Sequence, residues 1–290
     1  MGRKAIGAVL ICFLATSCST PRQVTVGSKN FTEQVILGEI VSQQIERRLH
    51  IPVKRQLNLG GTLLAHQALT NGQIDLYPEY TGTAYMSMLH HFGVTDPAVV
   101  LEQVRAEYAS SLRLKWLDPL GFNDSFAIAV PGATARRMHL ATISEAEKTQ
   151  HPWVLGSGYE FLERPDGFRA LEQAYPAMQW SGAPKTMDLG LLYKALEQKQ
   201  VEMVAGNTTD AALASGDLTV LRDDRRAFPP YQASIVVRYD SLTRVPGLEK
   251  ALDELSGKIA EDAMRKMNEE VDVRHRSPAD VAAQFLKSLP

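Results

Sequence analysis

Along residues 24–77, short apolar runs typical of β-strands alternate with segments whose apolar residues recur at helical spacing. Short apolar runs at 24–28, 53–57 and 74–77 predict β-strands. The segment after the first run carries apolar residues at helical spacing, at Val35, Leu37, Ile40, Val41, Ile45 and Leu49. A second helical segment opens at Gly60-Gly-Thr62. This alternation predicts a parallel sheet with crossover helices, in which ligands lie beyond the carboxyl ends of the strands.

The α/β pattern is interrupted and then begins again. After a helical stretch from 97 to about 112, residues 116–130 have an extended pattern. The next block predicts strands at 153–155, 201–205 and 218–221, with helices at 167–175 and 189–199, and a further strand covers 233–238. We interpret residues 24–125 plus 232–290 as a first lobe and residues 126–231 as a second lobe. The two chain crossings, near 124–131 and 226–233, are the expected hinge.

The N-terminus has the pattern of an export signal. Arg3 and Lys4 precede an apolar run at 5–15, which is too short to span a bilayer as a helix. Leu14-Ala-Thr-Ser-Cys18 resembles a bacterial lipobox. We therefore expect residues 1–17 to be a signal peptide, Cys18 to be lipidated and residues 18–23 to form a tether. The alternative is an ordinary signal peptide with an incidental cysteine.

Composition and motif content argue against several classes of function. Cleavage before Cys18 leaves that residue as the only cysteine, so stability depends on the core, which 44% hydrophobic residues supply. The formal net charge of −2 gives no basic excess for nucleic acid. No Gly-x-Ser-x-Gly elbow, phosphate loop or metal-ligand spacing of histidines occurs in the sequence. We therefore expect neither an enzyme nor a cofactor or metal site.

Five motifs stand in one order along the chain: Gly-Ser-Lys-Asn-Phe-Thr-Glu-Gln at 27–34, Asn-Leu-Gly-Gly-Thr at 58–62, Asp-Leu-Tyr-Pro-Glu-Tyr-Thr-Gly-Thr at 75–83, Gly-Phe-Asn-Asp-Ser-Phe at 121–126 and Asp-Asp-Arg-Arg-Ala-Phe-Pro-Pro-Tyr at 223–231. From about residue 24 to about residue 286 the chain resembles the osmoprotectant-type substrate-binding proteins of ABC importers. The resemblance implies a two-lobed periplasmic-binding-protein fold of the type II-like class, with the ligand in the cleft between the lobes. It also implies a quaternary amine as ligand and a membrane permease with its ATPase as partners. We expect a monomer.

The resemblance also assigns residues to the head group of the ligand. It places Tyr80 against the methylammonium with Thr83 beside it, and it makes Phe126 and Tyr193 further ring walls. Aromatic faces attract a bulky organic cation through the ring quadrupole. Asn207 stands where several relatives have an aromatic residue, so glycine betaine is in doubt and choline, carnitine or ergothioneine are admitted. Without the resemblance, a tyrosine near a strand end is usually a rim residue.

Charged candidates complete the expected site. Lys29 lies between a strand and a helix N-terminus, where an anion is held well. Arg164 matches an arginine that reaches the ligand carboxylate in the family, and Asp124 is able to meet the cation. The alternatives are a solvated Lys29, a surface salt bridge of Arg164 with Glu160 or Asp166, and a capping role for Asp124. Because choline would leave Lys29 and Arg164 poorly paired, we expect carboxylate-bearing ligands to bind more tightly than choline.

Two other functions stay open from the sequence. An ergothioneine-binding importer component would share the trimethylammonium and the carboxylate of the ligand. An exported enzyme or a sensor ectodomain could use the same scaffold, because one fold can carry many functions.

Overall fold

In the computed structural model, which describes residues 23–289, the strands form two five-stranded sheets. Cys18 and the export signal lie outside the described residues. Before the first crossing the elements are β1 (Val24–Gly27), α1 (Thr32–Leu49), β2 (Val53–Gln56), α2 (Thr62–Thr70), β3 (Leu76–Tyr80), α3 (Thr81–Thr83), a π-helical turn (Ala84–Met88), α4 (Pro97–Glu107), a second π-helical turn (Tyr108–Leu112) and β4 (Leu114–Trp116).

The middle of the chain contributes β5 (Phe126–Pro131), α5 (Gly132–Met138), α6 (Ile143–Lys148), β6 (Leu155–Ser157), α7 (Tyr159–Glu163), α8 (Phe168–Ala174), β7 (Lys185–Thr186), α9 (Leu189–Glu197), β8 (Met203–Asn207), α10 (Ala212–Ser215) and β9 (Leu218–Leu221). The remaining elements are β10 (Ala233–Arg238), α11 (Tyr239–Arg244), α12 (Leu248–Asp253), α13 (Glu261–Asp272) and α14 (Pro278–Ser288).

Each sheet combines parallel and antiparallel pairs. In the first sheet, with strand order β2-β1-β3-β10-β4, β1 runs parallel to β2 and β3, and β10 is antiparallel to β3 and β4. In the second sheet, with strand order β7-β6-β8-β5-β9, β6 runs parallel to β7 and β8, and β5 is antiparallel to β8 and β9. The α/β class predicted from the sequence is confirmed.

The chain passes between the two sheets twice, and the two crossings lie side by side. Asn123 and Gln232 form an isolated antiparallel bridge. The backbone N–H of Asp124 donates to the carbonyl of Tyr231 at 3.0 Å, and the N–H of Tyr231 donates to Oδ1 of Asn123 at 2.6 Å. The proposed lobe boundaries, at 125/126 and 231/232, fall between the strands of the two sheets. We use "first lobe" and "second lobe" for these parts, with this pair of crossings as the proposed hinge.

Helix α1 connects the beginning of the first lobe to its end. Its apolar residues recur at helical spacing, and Ile36, Leu37, Ile40 and Ile45 are all buried. They pack in one hydrophobic core with residues of α12, α13 and α14. The C-terminal helices are therefore part of the first lobe, which brings α13 close to the residues that follow β1.

Several local predictions differ from the structure. The strands expected at 74–77, 153–155 and 201–205 each begin two residues later, at β3, β6 and β8. In the case of β6, Trp153 instead forms an isolated bridge with Trp180. No element was predicted directly after Tyr80, but α3 begins at Thr81 and a π-helical turn continues from it. Within residues 23–289, no helix is both long enough and apolar enough to cross a membrane.

Candidate functional site

A cavity of about 1140 Å³ lies between the two lobes. Its walls include all eight residues that the sequence analysis nominated: Lys29, Tyr80, Thr83, Asp124, Phe126, Arg164, Tyr193 and Asn207. The structure thus brings every predicted site residue to one space, although their roles toward a ligand stay predictions. We call this space the cleft.

Strand ends position most of these side chains. Lys29 follows β1, Tyr80 ends β3, and Thr83 lies in the short helix directly after it. From the second lobe, Phe126 begins β5 and Asn207 ends β8, and the two residues are directly paired in the antiparallel register. The cleft therefore lies at the carboxyl ends of β1, β3 and β8, as the α/β topology predicts.

Lys29 is already paired inside the first lobe. Its side chain is 1% exposed, and Nζ lies 2.5 Å from Oε1 of the fully buried Glu79. Glu79 also accepts hydrogen bonds from the hydroxyl of Tyr77 at 2.9 Å and from the backbone N–H of Tyr80 at 2.7 Å. The lysine Nζ lies 5.1 Å from the ring centroid of Tyr80. Lys29 thus supports the wall of the cleft from behind.

Arg164 is held in a similar way by the second lobe. It forms a fork with the buried Asp166, with Nε–Oδ1 at 3.0 Å and Nη2–Oδ2 at 2.5 Å. Nη2 also donates to the hydroxyl of Thr83 across the cleft at 3.0 Å. The guanidinium carbon lies 5.0 Å from the ring centroid of Phe126 and 5.9 Å from that of Tyr231. The carboxylate of Asp166 neutralises the charge of Arg164. Burial raises the pKa of Asp166, but the charge and hydrogen bonds of Arg164, with hydrogen bonds from Tyr231 and Ser87, bring this pKa below its ordinary value.

These two ion pairs correct the argument against choline. That argument treated Lys29 and Arg164 as cations that need the carboxylate of a ligand. Each of them has a buried carboxylate of its own, Glu79 and Asp166 respectively. A ligand without a carboxylate therefore leaves neither cation unpaired, and the predicted preference against choline loses its physical reason.

Two tyrosines face the cleft with their hydroxyls fixed by carboxylates. The hydroxyl of Tyr80 donates to Oε1 of Glu33 at 2.6 Å, and that of Tyr193 donates to Oδ2 of Asp210 at 2.7 Å. Phe31 stacks on Tyr80 with ring centroids 6.3 Å apart. Anchored hydroxyls hold the ring orientation, so both rings are prepared before a ligand arrives.

Three carboxylates lie close together beside these rings. Burial raises the pKa of Glu33 to about 7 and that of Asp210 to about 6. Burial also raises the pKa of Asp124 well above its ordinary value, and the charges of Glu33 and Asp210 raise it further. Among residues 23–289, no lysine or arginine forms an ion pair with any of the three. This part of the cleft is therefore suited to a cation.

A second group of rings lies around Phe126. Its ring contacts those of Phe161, Phe228 and Tyr231 edge to face, with centroids 4.9, 5.5 and 5.8 Å apart. Arg164 covers ring faces of Phe126 and Tyr231. Phe126 thus lines the cleft and also packs against the guanidinium of Arg164.

A contact between Glu160 and Thr62 also joins the two lobes at the cleft. The carboxylate of Glu160 in α7 accepts from the backbone N–H of Thr62, and from its hydroxyl at 3.0 Å. Thr62 is the first residue of α2, so the carboxylate lies where the helix dipole favours a negative charge. Lys29, Arg164 and Thr62 together keep the pKa of Glu160 below its ordinary value in spite of burial.

Sequence reasoning did not nominate several residues of this site. Glu33 stands inside the motif at 27–34 and Asp210 stands three residues after Asn207, yet nothing local marked either as a carboxylate of the cleft. Glu160 was considered only as a salt-bridge partner of Arg164. Asn268, in α13, donates through Nδ2 to the carbonyl of Thr209 at 3.0 Å, and no sequence signal indicated that it reaches the cleft.

A second cavity, of about 950 Å³, lies in the second lobe between α5 and α9. Trp153, Met138, Leu196 and Leu218 form much of its wall, and Tyr193 is the nominated site residue that borders it. Within the described part of the chain, no group of three histidine, cysteine, aspartate or glutamate side chains is arranged to hold a metal ion. The clustered rings and carboxylates make the cleft the candidate site.

The family model for the substrate binding domain of ABC-type glycine betaine transport systems matches residues 22–288. The ergothioneine transport permease/ergothioneine binding protein of Helicobacter pylori is 36% identical over 269 residues, which cover 92% of this chain and 48% of that protein. This chain thus spans about half the length of that relative. The carnitine transport binding protein of Listeria monocytogenes is 31% identical, over 94% of this chain and 91% of that protein.

Solved structures agree with this relationship. The crystal structure of a glycine betaine/carnitine/choline ABC transporter protein superimposes with a TM-score of 0.76 at 30% identity, covering 91% of this chain and 97% of the other. The two-lobed architecture expected from the sequence is confirmed by this match.

Proposed function

Since this chain belongs to the family of substrate-binding domains of ABC-type glycine betaine transport systems, we propose that it captures a quaternary ammonium zwitterion outside the cytoplasm. Glycine betaine and carnitine are the candidate ligands. The protein, acting as a monomer, would then deliver the ligand to a membrane permease driven by an ATPase. We propose no catalytic step, because the family consists of substrate-binding components of transporters.

One observation carries the choice of a cation: the carboxylates of Glu33, Asp124 and Asp210 line the cleft without a basic partner in residues 23–289. Buried carboxylates are unfavourable unless a positive charge compensates them. A permanent cation cannot lose its charge by deprotonation when it enters the cleft. A quaternary ammonium group therefore stays positive at any pH and compensates these carboxylates once they are ionised.

The rings of Tyr80 and Tyr193, with the edge of Phe126, form the proposed cage for the ammonium methyl groups. Tyrosine rings attract a desolvated cation, and their hydroxyls are turned to Glu33 and Asp210 and away from the ring face. Asp124 contributes a carboxyl group from the proposed hinge. Asn207, half-buried beside Asp210, replaces a ring by an amide and leaves room for a ligand larger than glycine betaine.

The carboxylate of the ligand is proposed to bind where Thr83 and Arg164 meet. Asp166 occupies Nε and Nη2 of Arg164, whereas Nη1 makes only a 3.6 Å contact with Glu160. The hydroxyl of Thr83 accepts from Arg164 and keeps its own proton for the ligand. Lys29 is assigned a supporting role, because Glu79 already neutralises it.

Ergothioneine is a second candidate ligand. It shares the trimethylammonium and the carboxylate, and a relative at 36% identity is named for it. The volume of about 1140 Å³ is at or above the upper end of ligand pockets, which hold roughly 300–1,000 Å³, so the cleft in this state has room for the added ring.

The proposed cage predicts how strongly each tyrosine variant weakens glycine betaine binding. Tyr80→Ala and Tyr193→Ala should each weaken glycine betaine binding by about 1–2 kcal/mol, because each removes one ring face from a desolvated cation. Isothermal titration calorimetry at one ionic strength measures the change. Tyr80→Phe keeps the ring but loses the hydroxyl that Glu33 holds, so it should weaken binding less than Tyr80→Ala does. Tyr239→Ala on the surface serves as the matched control. Undiminished affinity in both alanine variants would remove the cage from this account.

We also propose that Cys18 carries a lipid anchor, on the evidence of the basic, apolar and small-residue run before it. Cys18→Ser should release the protein from washed membranes into the soluble extracytoplasmic fraction. Immunoblotting of membrane and soluble fractions measures this. An equal distribution of the wild type and the variant would contradict the anchor.

A further inference from the structure

Hydrogen-bond acceptors gather where α1 and α13 of the first lobe meet the loop that follows β8. The group consists of the carboxylates of Glu33, Asp124 and Asp210 and the amide oxygen of Asn268, and all four residues line the cleft. We call this group the acceptor cluster. It is contributed by four separate parts of the chain, which are α1, the first crossing, the loop after β8 and α13, and it lies next to the rings of Tyr80 and Tyr193.

The orientation of the Asn268 amide follows from its neighbours. Its nitrogen lies 3.0 Å from the carbonyl oxygen of Thr209 and 3.4 Å from Oε2 of Glu33. Because the carbonyl oxygen of Thr209 can only accept, the nitrogen is the amide atom that belongs beside it. The amide oxygen is left without a protein partner, and the side chain is only 3% exposed. A buried acceptor of this kind calls for a donor from a bound molecule.

The three carboxylates also have acceptor capacity to spare. Glu33 accepts from Tyr80 and, at 3.4 Å, from Asn268. Within residues 23–289, Asp124 accepts through Oδ1 alone, from the hydroxyl of Thr209 at 2.9 Å, from its backbone N–H at 3.4 Å and from the hydroxyl of Thr208 at 3.5 Å. Asp210 accepts from Tyr193 and from the backbone of Asn207. Each carboxylate has about four lone-pair sites. A trimethylammonium group neutralises charge here, but it has no N–H or O–H to give. The head group alone therefore leaves the cluster short of donors.

On the basis of the function proposed above, we infer that the acceptor cluster is a second subsite of the cleft, which selects quaternary ammonium zwitterions that carry an O–H or N–H donor near the head group. The donor meets the amide oxygen of Asn268 and one of the carboxylates. A ligand that lacks the donor has to leave these buried acceptors unsatisfied. Such a site discriminates against the missing group more strongly than a hydrophobic pocket discriminates against a missing methylene.

The test compares two ligands that differ in a single hydroxyl. Carnitine and γ-butyrobetaine have the same trimethylammonium group, the same carboxylate and the same chain length. Calorimetric titration of the wild type should show carnitine binding at least about tenfold more tightly. In Asn268→Ala this ratio should fall toward one, mainly through weaker carnitine binding.

Arg265→Ala is the matched control on the same helix. Arg265 donates to the carbonyl of Thr208 at 3.0 Å, so this variant loosens the same loop without touching the acceptor cluster. It should change the affinity for both ligands by the same factor. Thermal unfolding of each variant shows whether it folds, and the wild-type comparison stands without any variant.

Each possible result of these titrations tests a different part of the proposal. Equal binding of the two ligands by the wild type overturns the second subsite and leaves the proposed function intact. A preference for carnitine that survives in Asn268→Ala overturns the assignment to Asn268. Failure of both ligands, and of glycine betaine, to bind overturns the proposed function together with this inference.

Discussion

Replacing Lys29 with methionine is expected to lower the free energy of unfolding by about 3–5 kcal/mol, as is usual when one partner of a buried ion pair is removed. Glu79 is fully buried, and the lysine Nζ at 2.5 Å is its charge partner. Tyr77 and the backbone of Tyr80 still donate to the carboxylate in the variant, but neither supplies a positive charge. The remaining carboxylate would stay uncompensated behind the wall of the cleft.

Urea unfolding at neutral pH, followed by circular dichroism, measures this effect. Lys54→Met removes an exposed lysine of β2 and should change stability by less than about 0.5 kcal/mol. The double variant Lys29→Met/Glu79→Gln should recover a large part of the loss, because it removes the unpaired charge as well. A single variant as stable as the wild type would mean that Lys29 is not needed to balance Glu79.

The Lys29–Glu79 pair also shows which features of the site could not be predicted from the sequence. Lys29 was nominated because it follows a strand and precedes a helix, and the structure does put it on the wall of the cleft. Its partner stands 50 residues away, and only the pairing of β1 with β3 brings Glu79 beside it. The position of Lys29 was therefore predictable from topology, whereas its pairing with a carboxylate depended on a tertiary contact.

The helices and strands likewise include some that the sequence predicted and one that it did not. The bounds of β9 and β10 agree with the sequence prediction, because each is a short apolar run between clear breakers. The helix that begins at Thr81 was missed, because threonine and glycine are poor helix formers. Packing requires the glycine here, because a Cβ on Gly82 would lie 2.6 Å from the carbonyl oxygen of Pro230. Local propensity contains no information about that contact.

Asn268 is the clearest residue that no pattern could have found. It lies in a strongly amphipathic helix among charged neighbours and has no motif around it. It reaches the cleft because α1 and α13 pack together in the first lobe. A residue more than 230 positions after Glu33 thus becomes its hydrogen-bond partner only in the folded protein.

Binding of a quaternary ammonium ligand is expected to strengthen as the pH rises, by about tenfold between about pH 5.5 and about pH 7.5. Burial raises the pKa of Glu33 from its ordinary value of 4.5 to about 7 and that of Asp210 to about 6. In the ligand-free protein both groups therefore hold protons over part of this range. A bound cation favours the ionised carboxylates, so binding expels these protons and is opposed by acid.

The stability of the ligand-free protein should change in the opposite direction. Between about pH 4.5 and about pH 7 the folded chain keeps a proton on Glu33 that the unfolded chain releases, so the free energy of unfolding falls as the pH rises through this window. Calorimetry of glycine betaine binding in two buffers of different ionisation enthalpy measures the protons released. Glu33→Gln should reduce both the proton release and the fall in stability, while Glu163→Gln at the rim should change neither. An affinity that stays constant across this range would show that the buried carboxylates do not face the cation, because a charge that near must shift their ionisation.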